Sequence, residues 1–280
     1  VFAVLPASGE RKGMFVTVVG GPGGSGLAAA DPYTAAFDPR IPEQFDIVFF
    51  DQRGVGASGE LACPDAAATY YRADWQAGTP EQEAALVEAA RTFAQDCVRE
   101  MGVPPERLRF YGTDQAVEDL EAFRAVLGDA QFWLYGESYG TQFAQWYAAA
   151  HPDRVAGLIL DGAVDLALDG IQFAFDTTRA FNDALVTTLA ACDAVPACRR
   201  DVGGDAVRAY DRLAGQLDRA PVTLQFPLPG GASVGRTLGL SELETAAAGF
   251  LYTEGERMLL QRAIASAAAG DFVPLAEQTQ

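Results

Sequence analysis

Short apolar runs alternate with amphipathic stretches through the first half of the chain. The run FDIVFF is too uniformly apolar for a one-sided sheet, which favours a central parallel strand. The amphipathic stretches predict helices, with Thr113 as the N-cap of one. Such alternation is typical of a mostly parallel sheet with right-handed crossovers. The predicted strands are 1–6, 14–19, 45–50, 132–135 and 155–160, and the predicted helices are 80–101, 113–127 and 141–150.

The pattern changes after Asp161, where Ala-rich helical stretches dominate. We predict helices over 173–191, 205–217, 241–251 and 257–269. Only 222–226 has the pattern of a strand, and the turn-rich segment 227–233 follows it. The sequence therefore predicts an α/β core over 1–163 and a second, mainly helical unit over 164–280.

The composition excludes several kinds of partner. Acidic residues outnumber basic ones 38 to 20, which gives a net charge of −18. Nucleic acids and anionic membranes require a basic face, so neither is expected as a partner. We find no run of about 18 apolar residues, so the sequence predicts no transmembrane helix. The chain holds a single His, which limits the catalytic groups that it can supply.

Both ends of the sequence favour a piece of a longer protein. The strand predicted at 1–6 has no lead-in and does not start with Met, and residues 271–280 stop without a closing strand. We therefore expect the C-terminal part of the core to be absent.

The four cysteines form two local sets, Cys63 with Cys97 and Cys192 with Cys198. Three connectivities are possible, and buried free thiols are a further alternative. There is no CxxC motif, and the only His is far from all four cysteines in sequence, so no zinc site is expected. We favour a disulfide within each set and an oxidising compartment, secreted or periplasmic.

The strongest chemical signal is the G-x-S-x-G motif at 136–140, which follows a predicted strand and opens a predicted helix. That context is typical of a nucleophile elbow, in which glycines flank the nucleophile because larger side chains would collide. Ser138 is then the predicted nucleophile. The backbone N–H of Tyr139, at the start of the helix, is the predicted first donor of an oxyanion hole.

A second signal is the glycine-rich loop GGPGGSG at 20–26. From Gly21 it matches the dinucleotide pattern G-x-G-x-x-G, as does the segment 54–59, but neither is followed by a clear predicted helix. A phosphate-binding P-loop is excluded because no Lys follows the last glycine. We interpret the loop as the other half of the oxyanion hole, with Gly21, rather than Gly23, as the second N–H donor. A plain tight turn is the alternative.

Four motifs together resemble the secreted α/β-hydrolase serine peptidases, above all tripeptidyl aminopeptidases related to proline iminopeptidase. The motifs are GGPGGSG, DQRGVGAS at 51–58, GESYGT at 136–141 and LDG at 160–162. The resemblance implies an α/β-hydrolase fold with an inserted helical cap, without cofactor or metal. It also implies release of short peptides or single residues from free N-termini. Val19 stands where proline iminopeptidases carry His, a residue that the tripeptidyl-type enzymes also lack.

The base and acid of a catalytic triad are not evident in the sequence. His151 follows Ser138 by 13 positions, which on one helix is about 20 Å and beyond hydrogen-bond reach. We interpret Asp161 as structural, bonded to backbone near the elbow, and Asp51 and Arg53 as residues that fix a loop. The triad acid and His are expected on a missing C-terminal segment, so this chain alone is expected to be inactive.

Two other functions fit the same motifs. One is an esterase acting on small esters, since fold does not fix substrate. The other is a non-catalytic, hydrolase-like binding protein. An aminopeptidase must bind a cationic amine, and acidic side chains are available in the cap, but none is singled out as a site: Glu242, Glu244, Glu254 and Glu256.

Overall fold

The computed structural model describes residues 1–73, 75–228 and 230–279 and divides the chain into two compact units. The first unit comprises Val1–Arg72 with Ala89–Leu168, and the second comprises Ala73–Glu88 with Asp169–Gln280. Residues 73–88, which the sequence predicts to be part of the core, group with the second unit. A hydrolase core over 1–163 and a cap over 164–280 remain predictions.

A five-stranded sheet forms the centre of the first unit. Its strands are β1 (Phe2–Leu5), β2 (Gly13–Val18), β3 (Phe45–Phe50), β4 (Phe132–Glu137) and β5 (Val155–Asp161). They lie in the order β1-β3-β2-β4-β5, and every neighbouring pair is parallel except β1 with β3. The mostly parallel sheet is confirmed. Because the carboxyl ends of β2 to β5 lie at one edge, the residues that follow them meet there.

Among the residues that the structure describes, six α-helices belong wholly or partly to this unit: α1 (Ala30–Ala36), α2 (Arg40–Gln44), α3 (Pro64–Tyr70), α4 (Pro80–Met101), α5 (Thr113–Leu127) and α6 (Tyr139–Ala150). One face of the sheet packs Val16 and Val48 with Leu120 and Phe143, and the other face buries Ile47. Apolar side chains therefore cover both faces, as a parallel sheet requires.

Three local expectations of the sequence analysis were wrong. The N-cap of α5 is Gly112, and Thr113 is the first helical residue, with its hydroxyl used elsewhere. A short helix, α1, forms after the glycine loop despite Pro32, since a proline in the first turn sacrifices no helical hydrogen bond. Helix α3 forms with Pro64 at its N-terminus for the same reason.

A disulfide joins Cys63, at the start of α3, to Cys97 on α4. One turn later on α4, the Glu100 carboxylate accepts the backbone N–H groups of Asp65 and Ala66 at 3.0 Å each. The predicted pairing is confirmed, and the carboxylate satisfies N-terminal donors that the helix itself leaves unpaired.

The second unit is mainly helical, with α7 (Gly170–Asp193), α8 (Pro196–Asp201), α9 (Ala206–Arg219), α10 (Leu240–Gly249), α11 (Glu254–Ala268) and α12 (Val273–Ala276). Its core includes Leu213, Leu243 and Leu260. The predicted disulfide Cys192–Cys198 is present and links the end of α7 to α8.

A two-stranded antiparallel sheet completes the second unit, with β6 (Val222–Pro227) and β7 (Ser233–Leu238). The expectation of a single strand was wrong. Strand β7 was not predicted because it contains Gly235 and Arg236 and shows no alternation of apolar residues. Pairing with β6 over six positions supplies what its composition does not.

Candidate active site

Ser138 lies on a sharp turn between β4 and α6. Its backbone angles are φ 52° and ψ −119°, and within the described part of the chain no other non-glycine residue has positive φ. A Cβ on Gly136 would collide with the carbonyl of Gly140, and one on Gly140 would collide with the carbonyl of Val18. The collisions expected from the sequence are therefore confirmed. Such a backbone conformation costs about 1–3 kcal/mol, which the surrounding structure must offset.

Hydrogen bonds hold the elbow in this conformation. The Ser138 N–H donates to the carbonyl oxygen of Asp161 at 2.8 Å, which ties the turn to the end of β5. Its own carbonyl accepts the N–H of Thr141 at 2.9 Å and the hydroxyl of Thr141 at 2.7 Å. The serine is thereby placed at the carboxyl edge of the sheet, at the N-terminus of α6.

Asp161 contacts the elbow through its backbone rather than its carboxylate. The carboxylate accepts the Tyr135 hydroxyl at 2.9 Å instead. Burial, together with this hydrogen bond, raises the pKa of Tyr135 to about 12. The predicted contact to the elbow is thus confirmed for the main chain of Asp161, while its side chain has a different partner.

The glycine loop lies directly against Ser138. A Cβ on Gly20 would stand 3.2 Å from the Ser138 Cβ and 3.7 Å from its Oγ. Gly21 has φ 124°, a conformation that only glycine adopts without strain. Within residues 1–73, 75–228 and 230–279, the backbone N–H groups of Gly21, Gly23 and Tyr139 have no hydrogen-bond acceptor. Unpaired donors are thus present on both segments at the serine.

A buried carboxylate fixes the glycine loop. Asp51 is 3% exposed and accepts the Ser25 hydroxyl at 2.7 Å and the backbone N–H groups of Leu27 and Ala57 at 3.1 and 2.9 Å. Burial acts to raise the pKa of Asp51, but these hydrogen bonds outweigh it and hold the pKa below its ordinary value. The predicted loop-fixing role of Asp51 is confirmed.

Arg53 fixes the neighbouring segment. Its guanidinium donates two hydrogen bonds to the Asp119 carboxylate, at 2.8 and 2.5 Å, and one to the Phe110 carbonyl at 2.7 Å. This is the bidentate geometry that a planar guanidinium permits. The DQRG segment is therefore tied to α5 as well as to the glycine loop.

The two variable positions of the elbow motif, Glu137 and Tyr139, both take part in hydrogen bonds that involve a phenol hydroxyl. The Tyr33 hydroxyl, from α1, donates to the Glu137 carboxylate. The Tyr139 hydroxyl donates to Gln52 Oε1 at 3.3 Å and contacts Thr113 Oγ1 at 2.7 Å. The local sequence around Tyr33, Gln52 and Thr113 does not indicate these contacts, because each joins residues that are far apart along the chain.

His151 lies at the opposite end of α6 from Ser138, as the C-cap residue. Its Nε2 is 3.1 Å from Glu118 Oε1, and its ring packs 5.3 Å from that of Tyr147. This placement confirms that His151 ends the helix. The site therefore combines a strained serine with unpaired N–H donors, while the chain's only imidazole contacts other groups.

The acidic side chains of the second unit have varied surroundings. Glu242 and Glu256 accept the backbone N–H groups of Gly239 and Thr253 at 2.7 and 2.9 Å, so both cap helices. Burial raises the pKa of Glu244, while a hydrogen bond with the Gln76 side chain acts to lower it. Across the described ranges, no group of three or more His, Cys, Asp or Glu side chains could hold a metal ion.

In the part of the chain that the structure describes, no helix combines the length and the apolar character needed to cross a bilayer.

Comparison with known proteins agrees with the motifs. The family model described as alpha/beta hydrolase fold matches residues 14–200. Serine protease Hip1 of Mycobacterium tuberculosis is 36% identical over 210 residues, 74% of this chain and 40% of that protein. Tripeptidyl aminopeptidase of Streptomyces lividans is 33% identical over 168 residues, 59% of this chain and 31% of that protein. Carboxylesterase B of Mycobacterium tuberculosis is 32% identical over 255 residues, 89% of this chain and 47% of that protein.

The chain thus spans less than half the length of each of these relatives. Two of the three are named as a serine protease and an aminopeptidase, which confirms the resemblance to serine peptidases of this fold. Because the family match covers more than half of the 280 residues, the chain belongs to the alpha/beta hydrolase fold family.

Proposed function

We propose that the protein is a serine peptidase that releases short peptides or single residues from free N-termini, through an acyl-enzyme on Ser138. The observation that carries the proposal is the strained Ser138 elbow, with Gly20 packed against it. The Ser138 hydroxyl gives its proton to a general base and attacks the carbonyl carbon of the scissile bond, and the carbonyl oxygen becomes an oxyanion. When this intermediate collapses, the C–N bond breaks, the amine leaves with that proton, and an ester on Ser138 remains. Water then hydrolyses the ester, which releases the N-terminal fragment as a carboxylate and restores the serine.

The oxyanion is bound by the backbone N–H groups of Tyr139 and Gly21. Both lack an acceptor among the described residues, and both lie on segments that meet at Ser138. The N-terminus of α6 adds a positive dipole end, which favours negative charge at this position. Donors that are fixed in advance need no reorganisation when the charge develops, which is why they accelerate acyl transfer.

The general base and its acid partner come from a segment outside these 280 residues. Support for this step is the placement of His151, about 20 Å along α6 from Ser138 and beside Glu118. In alpha/beta hydrolases the acid and the His follow the serine in the chain. A chain without that segment deprotonates Ser138 poorly and is inactive towards peptides.

A peptide with a free N-terminus is the proposed substrate, and an oxidising compartment outside the cytoplasm is the proposed location. The tripeptidyl aminopeptidase relative supports the substrate class. The two disulfides support the location, because such bonds persist in secreted and periplasmic proteins.

An esterase is the second candidate, because carboxylesterase B is 32% identical over 255 residues. The two functions differ in the bond cleaved, an amide or an ester. We would compare hydrolysis of tripeptidyl p-nitroanilides, N-acetylated tripeptidyl p-nitroanilides and short p-nitrophenyl esters, using a longer form of the protein with the proposed segment. A free-amine anilide should be preferred, and acetylation should abolish its turnover. Preference for the esters would favour the esterase.

The inactivity of the 280-residue chain is tested separately, with a fluorophosphonate probe. We expect acylation of Ser138 that is slower by at least about 10³-fold than for the Streptomyces tripeptidyl aminopeptidase, since a triad base contributes that much or more. Equal rates would contradict the absence of a base.

A further inference from the structure

The phenol of Tyr139 forms a contact that its backbone role does not require. Its hydroxyl donates to Gln52 Oε1 at 3.3 Å, so its proton is committed there. The Thr113 hydroxyl, 2.7 Å away, is then the donor in the second contact. All three side chains are partly buried, and they come from the segment after β3, the start of α5 and the first residue of α6.

Gln52 is adjacent in sequence to Asp51, the residue that fixes the glycine loop. The Asp51 carboxylate accepts the Ser25 hydroxyl and the Leu27 N–H of the segment that continues from Gly21. One dipeptide therefore contacts both segments that carry proposed oxyanion donors. The carboxylate of Asp51 fixes the segment of Gly21, and the carboxamide of Gln52 fixes the residue that carries the other N–H.

We propose that Gln52 and the Tyr139 phenol are positioning groups that set the distance between the two halves of the oxyanion hole. This inference rests on the proposed function. Neither side chain touches the reacting atoms, and both act through the Tyr139 backbone. The geometry required is strict, because an oxyanion is stabilised only by donors about 2.7–3.1 Å away. Thr113 also contributes to this arrangement. Its side chain does not cap α5, and its hydroxyl donates to the Tyr139 phenol instead.

The test uses Tyr139→Phe and Gln52→Met, which remove hydrogen-bonding groups and keep the side-chain size. The matched control is Tyr147→Phe, on the same helix, where a phenol donates to the Glu121 carboxylate at 2.8 Å, away from the elbow. In the longer, active form, we expect each test variant to lower kcat about tenfold with KM within about twofold. This decrease is smaller than the roughly 10²–10³-fold loss of kcat that follows removal of an oxyanion donor itself.

Loss of a hydrogen bond with a purely structural role would lower stability without changing kcat, and the control variant should behave in this way. Tyr147→Phe should lower the melting temperature and leave kcat unchanged, since its hydroxyl is buried far from the serine. The double variant Gln52→Met/Tyr139→Phe should be no slower than the slower single variant, because one contact is removed in both. Unchanged kcat in Tyr139→Phe, or effects that multiply in the double variant, would overturn the inference.

A second measurement needs no catalysis. In the 280-residue chain, amide hydrogen exchange measured by NMR should become at least about fivefold faster at Ser138 and Thr141 in Tyr139→Phe, and not in Tyr147→Phe. Unchanged exchange at both amides overturns the inference while leaving the proposed function intact. An active wild type with an unaffected Tyr139→Phe variant does the same, whereas a wild type without Ser138-dependent hydrolysis refutes both.

Discussion

Replacing Asp51 with Asn tests how firmly the glycine loop is held. The carboxylate accepts three hydrogen bonds while 3% exposed. Asn keeps the shape but turns an NH₂ group toward one of these donors. One charge-assisted hydrogen bond, worth about 1.5–3 kcal/mol, is lost, and a buried donor is left unpaired at a cost of about 1–3 kcal/mol. We expect Asp51→Asn to lower the free energy of unfolding by about 3 kcal/mol.

The assay is urea unfolding followed by tryptophan fluorescence, because Trp133 and Trp146 both lie in the first unit. The control is Asp38→Asn. Asp38 also accepts three hydrogen bonds, all from Arg40, but it is exposed and its contacts are screened by solvent. This variant should leave the unfolding midpoint unchanged. A loss below about 0.5 kcal/mol in Asp51→Asn, or equal losses in both variants, would refute the reasoning.

Three further predictions concern the same unit. The Arg124 guanidinium holds the pKa of Glu121 at about 2, below its usual 4.5. The contribution of the Glu121 carboxylate to stability is therefore present above pH 4.5 and lost as pH falls through 2. Glu121→Gln should flatten the acid unfolding curve over that window, and an unchanged curve would contradict this. Replacing Cys63 and Cys97 with Ser should lower the free energy of unfolding by about 3–4 kcal/mol in urea titrations, and no change would contradict the expected stabilisation. Ser138→Gly should be more stable than Ser138→Ala by about 1 kcal/mol because only glycine relieves the positive φ, so equal melting temperatures would argue against strain.

The sequence predicted the elements whose signals are local. The strands of the sheet, the elbow serine and its flanking glycines were all evident from short apolar runs and one motif, because steric rules act within a few residues. The role of Asp51 in fixing a loop was also predictable, since its motif places a carboxylate directly after a buried strand.

Contacts between distant segments were not predictable in the same way. Thr113 was expected to cap its own helix, yet its hydroxyl contacts Tyr139, which becomes a neighbour only when α5 and α6 pack together. Strand β7 was missed because its stability comes from its partner β6 rather than from its own residues. In both cases the decisive interaction joins two separate segments of the chain, so the local pattern of residues does not predict it.

The assignment of Ser138 as the nucleophile is tested most directly by locating the covalent adduct. A longer form of the protein with the proposed base and acid would be labelled with a fluorophosphonate, digested and sequenced by mass spectrometry. We expect a single stoichiometric adduct on Ser138, and loss of both adduct and peptidase activity in Ser138→Ala. An adduct on another residue, or peptidase activity retained in Ser138→Ala, would contradict the assignment.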